Sequence, residues 1–269
     1  MLVSVEQLLL VVPSQVKGSP AGEMTVYQWS ALLEQFAAQG GREVLLSGGE
    51  TLGYPSFWVL VRKAIGLRIP RVSACMTGNL LEPWVIREVV SSGVHVLVTL
   101  DSLTPEVHDG LRRGGAHGVA MAGIQALLAH GMGERLGIVS TATRLGRQEL
   151  PALAQWAAEQ GLSSMRWSVV PEGGWSSPQA QAARLTAEEV QDLAGTLAAT
   201  ARSLHGRLQL DPLDQAHRPG ALAGYAPMVR VHYSGEAHLG STGEGMRLGN
   251  ARFSCLEALL SRVAQAAGD

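Results

Sequence analysis

Six short apolar runs, each followed by a stretch with helical periodicity or by a turn-rich loop, set the first constraint on this 269-residue chain. The runs are Gln7–Val12, Glu43–Leu46, Arg71–Met76, His95–Leu100, Arg135–Ser140 and Met165–Val170. Between them the spacing predicts helices over Thr25–Gln39, Pro55–Ile65, Glu82–Ser91, Gly118–His130 and Gln148–Gln160. Strands joined through helical crossovers run parallel, and parallel strands are covered on both faces, so they read as nearly continuous apolar runs. Gly40, Gly93, Gly131 and Gly161 stand where helix C-terminal caps are expected. Thr25 is a predicted N-cap with Gln28 completing a modest capping box, and Trp29, Leu32, Leu33 and Phe36 fall on one helix face. Periodicity alone leaves an open doubly wound sheet and a complete or partial barrel as alternatives. Either one gathers ligands at the C-terminal ends of the strands.

Composition narrows the partners. Hydrophobic residues make up 46% and charged residues 16%, enough to build a core and too little charge for a disordered chain. A formal net charge of −2 offers no basic field for nucleic acid or an anionic membrane. No apolar run reaches the ~20 residues of a membrane-spanning helix. Leu8–Val12 is short and follows no charged segment, so it reads as a strand and the cytoplasm is the expected location. The two cysteines, Cys75 and Cys255, are far apart and make neither a disulfide framework nor a CxxC pair. Beyond Gly174 the pattern changes to a loop, a helix over Ala187–Leu204, a turn-rich segment, a hairpin turning at Ser234-Gly235 and a last helix over about Ser254–Gln265. A domain boundary is expected near 205, giving regions 1–205 and 206–269.

Several strand ends carry chemistry. Gly48-Gly49-Glu50 can expose backbone groups and set a carboxylate against a ligand amine; the plainer reading is a tight turn with a solvated Glu. Asp101-Ser102 can recognise a ribose-like hydroxyl pair, or simply cap the helix starting near Thr104-Pro105. Arg112 and Arg113 can grip phosphate or carboxylate, or be surface charge beside a turn. His108 and His117 lack helical metal spacing, and His232 and His238 read as surface residues flanking a turn. Cys75 reads as core and Cys255 as structural; Trp175, in a loop, is a candidate ligand-facing indole.

Taken in order, "LSGGET", "MTGNLL", "VTLDS", "HDGLRRGGAHGVAMAGIQAL" and "VVPEGG" resemble the radical S-adenosylmethionine (radical SAM) superfamily over roughly residues 5–175. The resemblance implies an α/β fold, a partial (β/α)6 TIM-like barrel, with a small C-terminal α+β extension. "VRVHYSGEAHLGSTGEGMRLGNARFSCLEALL" resembles the start of the cysteine-rich (SPASM) extension of peptide-modifying members, with Ser241 or a neighbour where a cysteine is expected. The family's CxxxCxxC loop should follow the first strand, yet "VVPSQVKGSPAG" has no cysteine, and Thr51 stands where the family has Pro. An iron–sulfur cluster needs thiolate ligands. The expectation is therefore a cluster-free member without radical catalysis. By resemblance, Gly48, Gly49, Glu50, Asp101, Ser102 and Arg112 are its candidate cofactor-binding residues, and S-adenosylmethionine is its candidate ligand. A peptide, or a catalytic radical SAM homologue, is the expected partner, and the 12–22 loop is a candidate plug of the former cluster site. A non-radical enzyme with Glu50 or Asp101 as general base and an S-adenosylmethionine sensor are the alternatives.

Overall fold

The computed structural model describes residues 5–13, 22–112, 114–170, 182–212, 228–240 and 246–266. Arg113, Trp175, Ser241 and most of the candidate plug lie outside them. The chain forms two compact units, one of Met1–Cys75, Ser92–Val94 and Gly224–Asp269, the other of Met76–Ser91 and His95–Ala223.

In the first unit, β1 (Gln7–Val11), α1 (Val26–Ala38), β2 (Glu43–Ser47), α2 (Phe57–Gly66) and β3 (Arg71–Met76) follow the predicted alternation, within two residues at each end. Thr25 caps α1: its hydroxyl accepts the Gln28 N–H at 3.2 Å and the Gln28 side chain accepts the Thr25 N–H at 2.9 Å. Trp29, Leu32, Leu33 and Phe36 are its buried face. β1 and β2 pair in parallel with Leu8 opposite Val44, and β2 pairs in parallel with β3. The C-terminal segment extends this same sheet. β8 (Met228–His232) lies parallel to β1, and β9 (Glu236–Leu239) and β10 (Arg247–Asn250) add antiparallel strands outside it. α8 (Leu256–Ala266) packs against α1 and β10.

One buried carboxylate fixes the register of this sheet. Glu43 is 6% exposed, and its oxygens accept from Gln7 Nε2 at 3.0 Å on β1 and Ser73 Oγ at 3.1 Å on β3. Arg71 Nε lies 3.5 Å from it. A one-residue slip would turn this group onto the opposite, wholly apolar face of Leu8, Leu10, Val44 and Leu46.

The second unit is a parallel sheet in the order β4 (His95–Thr99), β5 (Leu136–Ala142), β6 (Ser164–Val169) and β7 (Gln209–Pro212). Among the described residues its α-helices are α3 (Pro83–Ser92, all but its last residue), α4 (Pro105–Leu111), α5 (Ala116–Ala129), α6 (Leu150–Glu159) and α7 (Ala187–Ser203). Two elements go beyond the sequence reading. β7 overlaps the start of the turn-rich segment at Asp211, and four residues ending in proline give no strand period; it is a short strand beside β6. α5 starts at Ala116, two residues before its predicted start, for a reason found in the site below. The four glycines predicted as helix terminators, Gly40, Gly93, Gly131 and Gly161, all have φ between +74° and +82°. Among the described residues no helix is long and apolar enough to cross a membrane.

Candidate functional site

Four residues of "HDGLRRGG", His108, Asp109, Arg112 and Gly115, have a task in the second unit. His108 is 2% exposed, and its Nδ1 accepts the Asp101 backbone N–H at 3.0 Å. The ring proton therefore sits on Nε2. Burial pushes the His108 pKa below its ordinary value, against the opposing pull of the Asp101 carboxylate, so the ring is neutral at pH 7. Asp109 turns the other way and caps α5, accepting the N–H groups of Gly115 at 2.7 Å and His117 at 2.8 Å. These two bonds hold its pKa below the usual carboxylate range. The cap lies six residues before the N-cap Gly115 (φ +84°), so no local capping signal marks the start of α5.

Arg112 completes the arrangement. Its Nε and Nη2 donate to the two oxygens of Asp101 at 2.8 and 3.1 Å, and Nη2 also reaches Thr141 Oγ1 at 3.2 Å. Asp101 accepts the Thr141 N–H at 2.7 Å as well, and its side chain is fully buried. Asp101 thus locks a guanidinium in place between the ends of β4 and β5. Such a paired, planar group gains geometric specificity from the bidentate bond. Ser102 does not join this group: its hydroxyl donates to the Glu149 carboxylate and accepts the Thr104 N–H at 2.8 Å.

Beside the guanidinium lies a cavity of about 410 Å³. Thr77 and Asn79 line it from the turn after β3, Thr99 from the end of β4, His108 and Arg112 from α4 and its C-cap, and Gly114, Gly115, Ala116 and Val119 from the start of α5. Gly78 makes the Thr77–Asn79 turn possible. Its φ is +92°, and a Cβ there would lie 3.0 Å from the Val119 carbonyl oxygen. The cavity thus presents two hydroxyls, an amide, a guanidinium and an imidazole on an otherwise apolar wall, the mixture usual for small-molecule sites.

The strand-end glycines belong to the first unit. Gly48 has φ +155°, and a Cβ there would meet the Val12 carbonyl oxygen at 2.3 Å, so the close approach of the chain leaving β1 demands glycine. The Glu50 carboxylate accepts the Leu52 N–H at 3.4 Å and caps the 3₁₀ turn Thr51–Gly53. Thr51, fully buried, donates its hydroxyl to the Cys75 carbonyl at 2.5 Å and ties the turn to β3. Of the six sequence-predicted residues, the structure brings Asp101 and Arg112 together. Gly48, Gly49 and Glu50 form a turn of their own, and Ser102 joins Glu149. Thr77 and Asn79 follow β3 at a strand end where ligands are expected, and Thr99 ends β4; His108, weighed in the sequence only as a metal ligand, lies inside α4, where no strand-end position marks it.

A sequence profile of the radical SAM superfamily matches residues 12–156. The chain belongs to the radical SAM superfamily. It is 28% identical over 207 residues to the mycofactocin maturase MftC of Mycobacterium tuberculosis, covering 76% of this chain and 51% of that protein. It is 33% identical over 110 residues to the AdoMet-dependent heme synthase of Methanosarcina barkeri, covering 40% of this chain and 31% of that one. It therefore spans about a third to a half of the length of these curated relatives. Streptococcus suis SuiB, bound to S-adenosylmethionine, superposes with a TM-score of 0.68 at 12% identity over 96% of this chain and 64% of SuiB. The structure anSMEcpe with bound AdoMet gives 0.62 at 11% identity, over 94% of this chain and 79% of that one. These likenesses show the fold: the predominantly parallel α/β fold of the radical SAM enzymes.

The family implies an iron–sulfur cluster, and the residues do not fit one. Cys75 is buried in β3 and Cys255 is exposed just before α8, and the chain has no third cysteine. Clusters of this type are held by thiolates from several cysteines. Among the described residues no three His, Cys, Asp or Glu side chains converge on a metal position.

Proposed function

We propose that this chain is a cluster-free, non-catalytic member of the radical SAM superfamily that acts as a binding or accessory protein in the modification of a ribosomally made peptide. The observation that carries the reading is the absence of any cysteine between β1 and α1, in a chain with two cysteines in all. The peptide link is supported by the alignment with mycofactocin maturase over three-quarters of the chain and by the fold shared with SuiB, solved also with its precursor peptide SuiA.

S-adenosylmethionine is the candidate small ligand of the cavity. The hydroxyls of Thr77 and Thr99, the Asn79 amide and the Arg112 guanidinium would hold it, and the volume falls in the range of small-molecule sites. The alternative of a sensor uses the same residues. The alternative of a non-radical enzyme loses its Asp101 base, because that carboxylate is buried and both oxygens are already hydrogen-bonded.

The test is anaerobic reconstitution with ferrous iron and sulfide, desalting, and incubation with S-adenosylmethionine and dithionite. The expected result is no retained labile sulfide and no 5′-deoxyadenosine. Formation of 5′-deoxyadenosine overturns the reading. Co-purification with a catalytic radical SAM homologue supports the accessory role, and a lone monomer in pull-downs with that homologue and its peptide counts against it.

A further inference from the structure

The C-terminal hairpin has one core face and one charged face. Val229, Val231 and Ala237 are buried. Strand alternation turns Arg230, His232, Glu236 and His238 to the opposite face, where each is half-buried. The register sets Arg230 directly opposite His238, with Leu9 of β1 on its other flank. Side chains so opposed stand about 5 Å apart at Cβ.

The charges on this face do not cancel. Glu236 pairs with Arg247 on β10 at 3.3 Å. The Arg230 guanidinium makes no hydrogen bond or ion pair with any described residue, although the Glu236 charge acts on it from farther away. Burial lowers its pKa, yet a guanidinium stays charged. His238 Nδ1 is buried and lacks a hydrogen-bond partner among the described residues. Burial also lowers the pKa of His232 and His238, leaving both rings neutral at pH 7. Arg230, Arg247 and Glu236 then sum to a single positive charge. Among the described residues, this half-buried guanidinium and this buried ring nitrogen have given up water without a hydrogen bond in exchange.

We propose that Arg230 and His238 form a binding site for one carboxylate group. The guanidinium supplies two parallel N–H donors, the geometry that matches a carboxylate, and the His238 ring N–H supplies a third. A phosphate dianion would meet one net positive charge and stay uncompensated. The site shares no residue with the cavity beside Arg112 and does not depend on what that cavity holds. The carboxylate can come from a small acid or from an acidic side chain of a peptide.

The test uses the full chain labelled with ¹⁵N and follows the Arg230 Nε–H and His238 ring signals. Sodium acetate is titrated against sodium chloride at equal ionic strength, beside capped peptides carrying Glu or Gln and beside inorganic phosphate. Saturable shifts with acetate are expected, weakened at least ten-fold by Arg230→Lys and several-fold by His238→Phe. Tighter saturation by the Glu peptide than by acetate, with none by the Gln peptide, assigns the source to a peptide; acetate as tight as the Glu peptide assigns it to a small acid. Shifts no larger than those from chloride, tighter saturation by phosphate, or unchanged affinity in the variants overturn the proposal. His238→Phe, which keeps ring volume, decides the matter if Arg230→Lys does not fold.

Discussion

At the scale of single residues, Asp101 governs the candidate site without touching the cavity. Its side chain is fully buried and fixes Arg112 from below. Asp101→Asn keeps the shape but breaks the charge pair and turns one acceptor into a donor. Loss of about 2–3 kcal/mol of unfolding free energy is expected, below the range for a wholly buried pair because the Arg112 side chain is 29% exposed. Urea unfolding measures it. Arg112→Lys should cost less, since a point charge still faces the carboxylate while the fork is gone. His108 adds a dependence on pH. Its folded pKa lies below its ordinary value, so between the two the unfolded chain binds a proton that the folded chain refuses. Its contribution is therefore complete above the ordinary value near 6.5 and shrinks as the pH falls toward the folded value. His232 and His238 share this direction. His108→Gln should flatten part of the acid slope of the melting temperature, and an unchanged slope would contradict the assignment.

At the scale of elements, the turn after β2 shows how sequence and structure divide the explanation. The glycine run was legible as a strand-end turn, but its reason was not. Gly48 is required by the Val12 carbonyl, a contact made by the chain just past β1, over thirty residues earlier, which no local pattern reports. Gly48→Ala should cost roughly 1–3 kcal/mol, the range for forced backbone strain, because the oxygen it meets is main chain and cannot rotate away. Thr51→Val should cost about 1–2 kcal/mol by leaving the Cys75 carbonyl with one partner fewer. Thermal unfolding of both variants checks this, and a neutral Thr51→Val would mean that the turn is held by packing alone. The strands of the alternation were legible because a strand buried on both faces must be apolar throughout. The start of α5 was not, because its cap comes from Asp109 across a turn. β7 was hidden by its length, and the Ser102–Glu149 pair by a separation of 47 residues.

At the scale of the whole molecule, family membership and the cysteine count pull in different directions, and ligand linkage separates them. A ligand that binds only the folded chain raises its stability by RT ln(1 + [L]/Kd), about 2.7 kcal/mol at a hundred times Kd. For a chain of this length that is a rise of roughly 5–10 °C in melting temperature. S-adenosylmethionine should produce such a rise without iron, and a strong iron chelator should leave both the melting temperature and the rise unchanged. Arg112→Ala should reduce the rise through the cavity, and Glu50→Ala, tested separately, asks whether the β2 turn also contributes. A rise that needs added iron would restore the cluster to the protein and remove the basis of the accessory reading. No rise at millimolar ligand would withdraw S-adenosylmethionine from the cavity. The fold would then serve as a scaffold, and the same melting assay with peptides of defined charge would be the way to find its occupant.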